Sequence, residues 1–228
     1  MNAPASSAEP SKPRLAPSRG QALAAAEVLL VYSALLLYIW RWQYSARWAW
    51  VVMLAFIVAS EIARSEGLSF LGLARKELRE SARIILPLAL VLFTPAVIYG
   101  FAGGRFRTIS LSAHAFAEFG GYFVWCLVQQ YLAQAYFHRR LMRVTPNRHF
   151  SSALVALMFA GAHIPNPVLV VATLFGGFIL AEVYARHPNI WPLAFAQAAA
   201  GLLIAGLAPG ALIHNMRVGP GYYFYRSR

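Results

Sequence analysis

Four side chains that both donate and accept hydrogen bonds, Gln129, Gln130, Gln134 and His138, lie in or beside one apolar run, FVWCLVQQYLAQAYFHRRL, from Phe123 to Leu141. On a helix, Gln130, Gln134 and His138 fall at i, i+4 and i+8 and make one polar stripe. An amide can orient a water or hold a carbonyl, but it cannot take up a proton as a general base must. At membrane depth such a stripe has to face a bundle interior or a wet cavity, because an unpaired buried amide is costly. The plainer alternative is that these amides only bond neighbouring helices together.

Two further polar side chains fall at a similar depth. At 1.5 Å per residue, Gln130 lies about 14 Å inward from the basic edge at Arg139. His163 lies about 20 Å from Phe150 on the next apolar run, and Gln197 about 12 Å from Asn189 on the last. Three spans thus bring Gln130, His163 and Gln197 to within roughly 8 Å of one depth, which is compatible with one shared site. A lone histidine at a span end is otherwise an ordinary hydrogen-bonded structural residue.

Carboxylates are scarce: aspartate is absent and all eight acids are glutamates. Glu118 stands about 16 Å before Gln129 on the same helix and cannot replace it. Glu182 precedes Arg186 by four residues, the spacing of a surface ion pair. Glu27 is expected near the cytoplasmic interface, and His138, beside Arg139 and Arg140, is expected there too. His163 among amides makes no zinc site, which wants about three charged or imidazole ligands. The one cysteine, Cys126, excludes an intrachain disulfide and a CxxC motif. No metal or cofactor is expected.

The elements that must position these residues are membrane spans. Of 228 residues 59% are hydrophobic and 12% charged, with a mean hydropathy of +0.54, and the long apolar runs are too many for a soluble core. The net charge of +12 comes from basic residues in short loops rather than a patch, so nucleic acid is not the expected partner. Residues 1–21 read as a disordered cytoplasmic tail, 22–207 as the transmembrane bundle and 208–228 as an interfacial tail anchored by Tyr222, Tyr223, Phe224 and Tyr225. The spans are expected at Ala22–Trp40, Trp48–Ile62, Ile84–Phe101, Ala115–Phe137, Ser151–His163, Pro167–Tyr184 and Ile190–Leu207. That makes about seven, with six or eight open. Ser65–Arg83 reads as an amphipathic segment on the membrane surface. With the N-terminus inside, 13 of the 20 Lys and Arg face the cytoplasm, which favours that orientation.

The chain resembles the CAAX protease and bacteriocin-processing family of intramembrane peptidases, which includes the CAAX prenyl endopeptidases. Three segments carry the likeness. The family's EExxxR motif falls on Gln129-Gln130-Tyr131-Leu132-Ala133-Gln134. Its FxxxH motif is intact in Phe159-Ala160-Gly161-Ala162-His163, followed by Ile164-Pro165-Asn166-Pro167. Its third motif, a histidine and then Asn or Asp four residues on, falls on Gln197 and Gly201.

The resemblance implies an all-α polytopic membrane bundle with a peptidase-like core at about 115–207 and a location in a bacterial inner (plasma) membrane. It implies Gln129, Gln130, His163 and Gln197 as the catalytic positions and Gln134, Phe159 and Gly201 as binding positions. Both motif glutamates, the arginine and the second histidine are replaced, so charge is missing as a set while amide hydrogen bonding is kept. The expected function is that of an atypical or inactive peptidase homologue, a membrane scaffold or chaperone that binds a peptide or lipidated protein segment beside the lipid bilayer. One alternative is an active peptidase using His163 and ordered water. Another is a small membrane transporter, against which stands the lack of an evident inverted repeat.

Overall fold

The computed structural model describes residues 18–64, 72–104, 113–145 and 147–224, the side chains of 113–117 excepted. Among these residues every regular element is helical. Helix α1 (Arg19–Leu37) continues through a π turn (Tyr38–Trp42) into the short α2 (Gln43–Ser45), and α3 (Ala49–Ala63) and α4 (Leu78–Ala102) follow. Helix α5 (Ala113–Gln130) runs on through a π-helix (Tyr131–His138) into α6 (Arg139–Val144). Then come α7 (Arg148–Gly161), α8 (Pro167–Arg186), α9 (Ile190–Leu207), α10 (Gly210–Ile213), a 3-10 turn (His214–Met216) and α11 (Pro220–Tyr223).

Four stretches are long and apolar enough to cross a bilayer: Arg19–Ser45, Leu78–Ala102, Pro167–Arg186 and Ile190–Leu207. Ala49–Ala63 is apolar but shorter. With α5 and α7, each apolar run expected to be a span is a helix. Their outward faces carry exposed Leu29, Leu90, Val91 and Phe175, a surface that only lipid covers well. The protein is an integral membrane helix bundle.

Local chemistry sets where helices begin. Ser18 and Gln21 form a capping box, each side chain bonding the other's backbone N–H. Asn147, Asn166 and Asn189 cap α7, α8 and α9 by accepting from the first-turn N–H groups, and Pro167 takes the first position of α8. Two of these asparagines also tie distant chain to the bundle. Asn189 Nδ2 donates to the Ala74 and Lys76 carbonyls at 2.8 and 3.0 Å. Asn166 Nδ2 donates to those of Ile213 and Arg217 at 2.7 and 3.2 Å.

Packing is closest where side chains are small. Helices α7 and α8 share the most extensive interface, and a Cβ on Gly177 would lie 3.2 Å from Phe159 Cδ1 and 3.5 Å from Ala156 Cα. Ala194 and Ala198 of α9 are wholly buried against Cys126 of α5, with Tyr122 and Phe123 packed around them.

Several expectations need correction. The first helix begins at Arg19, so only residues 1–17 of the expected tail lie outside the description. Of the expected amphipathic surface segment, 65–71 lies outside the described residues, 72–77 is turn and Leu78–Arg83 opens α4. The basic Arg139–Arg148 stretch is helical to Val144, with Arg139 and Arg140 buried.

Glu27 is not interfacial. It is buried, accepting from Arg140 Nε at 2.7 Å and Arg64 Nη2 at 2.8 Å, while Arg140 Nη1 donates to Glu61 at 2.9 Å and Nη2 to Ser60 at 3.1 Å. The guanidinium also lies 3.6 Å over the Tyr136 ring. The reason is steric and electrostatic together: α1, α3 and α6 converge here, and a buried charge persists only when paired. His138 is likewise fully buried, bonded to Ser152 at 3.3 Å, because the helix carries it inward rather than out to the surface. Tyr222 stacks on His214 at 4.0 Å between ring centres, so one of the tail aromatics packs on the protein itself.

Candidate functional site

A cavity of about 540 Å³ opens between α4, α5, α7, α8 and α9, and Met216 and Val218 of the C-terminal tail form part of its wall. Most of the lining is apolar, including Leu92, Phe93 and Trp125; Gln129, His163 and Gln197 supply polar groups. The three come from three helices, α5, α9 and the turn that ends α7. Phe159 and Gly201 line it too.

The amides form a directed chain. Gln130 Nε2 donates to Gln197 Oε1 at 2.6 Å, and Gln197 Nε2 donates to Gln129 Oε1 at 2.5 Å. Gln129 ends the chain at the cavity with its own N–H groups still to offer. Adjacent helical residues point about 100° apart, so Gln129 and Gln130 cannot both face the space. Gln130 stands behind the wall, wholly buried, where the sequence had suggested that it would line the site. Gln134, at 1% exposure, is also absent from the lining. His163 Nδ1 donates to the Phe159 carbonyl at 2.7 Å, and the two rings meet edge to face at 4.9 Å. In the neutral ring that bond leaves Nε2 as an acceptor.

Tyr122 is the lining residue that sequence reasoning missed. A Cβ built on Gly201 would lie 1.9 Å from Tyr122 Oη and 2.7 Å from its Cζ, so the hydroxyl occupies the space a side chain at 201 would need. Its signal was local: Tyr122 precedes Gln129 by seven residues, two turns along one helical face.

Residues 116–203 match the family model described as Type II CAAX prenyl endopeptidase Rce1-like. Through this region the chain belongs to the Rce1-like family. The matched region contains α5 from residue 116, the π-helix, α6 to α8 and most of α9, and so nearly all the polar groups at the cavity. No curated protein and no solved structure matches the chain.

Set against the Rce1-like motifs, the positions of the motif acids and of the second histidine carry amides that bond one another across α5 and α9. Among the described residues, no carboxylate lines the cavity. Glu27, Glu61, Glu77, Glu80 and Glu182 are instead held by Arg140, His187, Arg83 and His149. Glu182 lies 3.7 Å from Arg186, as its spacing suggested. No group of three His, Cys, Asp or Glu that could hold a metal occurs among the described residues.

Proposed function

We propose that this Rce1-like membrane protein binds a peptide or lipidated segment in the cavity between α4, α5, α7, α8 and α9 without cleaving it. The observation that carries this reading is the amide chain Gln130–Gln197–Gln129, which stands at the cavity with no carboxylate beside it. Carboxamides pair with peptide groups as donor and acceptor, but none can draw a proton from an attacking water. A cavity of this size, apolar with a few convergent polar groups, has the character of a ligand site.

The test is turnover by the detergent-purified protein against peptide libraries, in wild type and in His163→Ala. Both are expected to be silent. Peptidase activity in wild type that His163→Ala abolishes would instead support the second reading, in which the free Nε2 of His163 serves as base. Restoring Gln129→Glu, Gln130→Glu, Gln134→Arg, Gln197→His and Gly201→Asn together is the converse experiment. It needs Tyr122 shortened as well, because an asparagine at 201 collides with the Tyr122 hydroxyl. Single acids should stay protonated in so poorly solvated a place and restore nothing.

The bias of Lys and Arg supports a cytoplasmic N-terminus in an inner membrane. A thiol introduced by Thr145→Cys is then expected to react with impermeant reagents only from the cytoplasmic side. Cys126 is buried and stays silent. Labelling of position 145 from outside intact cells would reverse the orientation.

A further inference from the structure

A line of buried polar atoms leads away from the cavity and is not needed for ligand binding there. Gln130 Oε1, Gln134 Oε1 and His138 Nδ1 have no hydrogen-bond partner among the described residues, and all three residues are at most 1% exposed. They succeed one another at four-residue steps, from the last residue of α5 to the last of the π-helix.

Both ends of the line are bonded. At one end Gln130 Nε2 reaches Gln197 and, through it, Gln129 at the cavity. At the other, His138 Nε2 lies 3.3 Å from Ser152 Oγ, Ser152 interacts with Glu182, and Glu182 Oε1 lies 3.0 Å from Nδ1 of His149, whose side chain is 57% exposed.

The direction of these bonds fixes what the three atoms require. A carboxylate only accepts, so the Ser152 hydroxyl donates to Glu182 and its oxygen receives N–H from His138 Nε2. That leaves Nδ1 a bare acceptor, like the two amide oxygens. Three acceptors in a row, deep in the bundle and without a donor, are costly unless something supplies hydrogens. Water does so from both sides at once. Side chains four apart on a helix have Cβ atoms about 5–6 Å apart, which one water with bonds of about 2.8 Å on each side can span.

We propose that the face carrying Gln130, Gln134 and His138 holds a file of bound water. One molecule donates to Gln130 Oε1 and Gln134 Oε1, and the next to Gln134 Oε1 and His138 Nδ1. The file joins the cavity to the Ser152–Glu182–His149 cluster at the bundle end. This inference is independent of whether the cavity binds a peptide.

Radiolytic hydroxyl-radical labelling of the full chain in lipid nanodiscs tests it, because bound water generates the radical beside the side chain it touches. His138, and Tyr184 whose ring lies 6.3 Å from it, are expected to be oxidised despite their burial, as exposed His149 is. Leu193, equally buried but away from the line, should stay unlabelled. Label on His149 with none on His138 overturns the proposal, and so would a cation held there in place of water. The second arm is Gln134→Leu, which removes the acceptor that both waters share. Loss of the His138 label with His149 unchanged is expected; an undiminished His138 label would show water reaching it by another route and refute the file. If that variant does not fold, the wild-type result decides alone.

Discussion

Arg140→Ala should cost about 3–5 kcal/mol of stability, read as a large drop in thermal midpoint in detergent. That is the scale for removing one partner of a buried ion pair, against a total of about 5–15 kcal/mol for folded domains in general. The guanidinium is wholly buried and bonds Glu27, Glu61, Ser60 and its own helix's Tyr136 carbonyl. Without it two carboxylates are left facing each other in the bundle, with Arg64 reaching only Glu27. Arg140→Lys should lose less but still measurably, since an ammonium cannot fork between two acids or lie flat on Tyr136. The discriminating variant replaces the set, with Arg140→Met, Glu27→Leu and Glu61→Leu together. It should be less damaging than Arg140→Ala alone, because the cost lies in stranding charge rather than in losing attraction. Arg64, still 18% exposed, can then turn to water. A triple variant worse than the single would refute this account.

Gly201→Ala is expected to be nearly as disruptive, though it adds one methyl group. Overpacking a tight interior costs about 1–3 kcal/mol, and here both the Tyr122 oxygen and ring carbons lie inside contact distance of the new Cβ. Tyr122→Phe should therefore give little relief, since Cζ and Cε1 at 2.7 and 2.9 Å remain. Tyr122→Leu should remove most of the penalty, giving a strong coupling in a double-mutant cycle. Gly161 offers an internal contrast. Its Cβ would meet Tyr32 Oη at 2.5 Å, but the next ring atom lies at 3.8 Å, so Tyr32→Phe alone should make Gly161→Ala tolerable. Equal rescue by phenylalanine at both sites would refute the difference claimed.

The amino-acid pattern revealed some parts of this molecule and hid others, for identifiable reasons. Spans were readable because hydropathy is a local property, and so were the asparagines that start α7, α8 and α9. The polar stripe was readable as a direction: Gln130, Gln134 and His138 all turn inward. What each one meets was not. Arg140 is joined to residues 113 and 79 positions away, and adjacent basic residues at a span's end look interfacial until their partners are known. Gln129 and Gln130 were indistinguishable by type, and only the facing of α5 toward the cavity separates them. Tyr122 escaped notice because its importance lies in the side chain that Gly201 lacks.

The π-helix from Tyr131 to His138 makes chain length itself a sensitive variable here. Its i→i+5 bonds place more residues in each turn than an α-helix would. Deleting one residue from this stretch would favour a straight α-helix and swing everything beyond it by about 100° relative to Gln129. His138 would leave Ser152, and Arg140 would leave Glu27 and Glu61. Any homologue shorter by one residue between the glutamine pair and the buried arginine must therefore have rebuilt one of those two contacts. Gapped positions in this helix carry structural information that substitutions there would not.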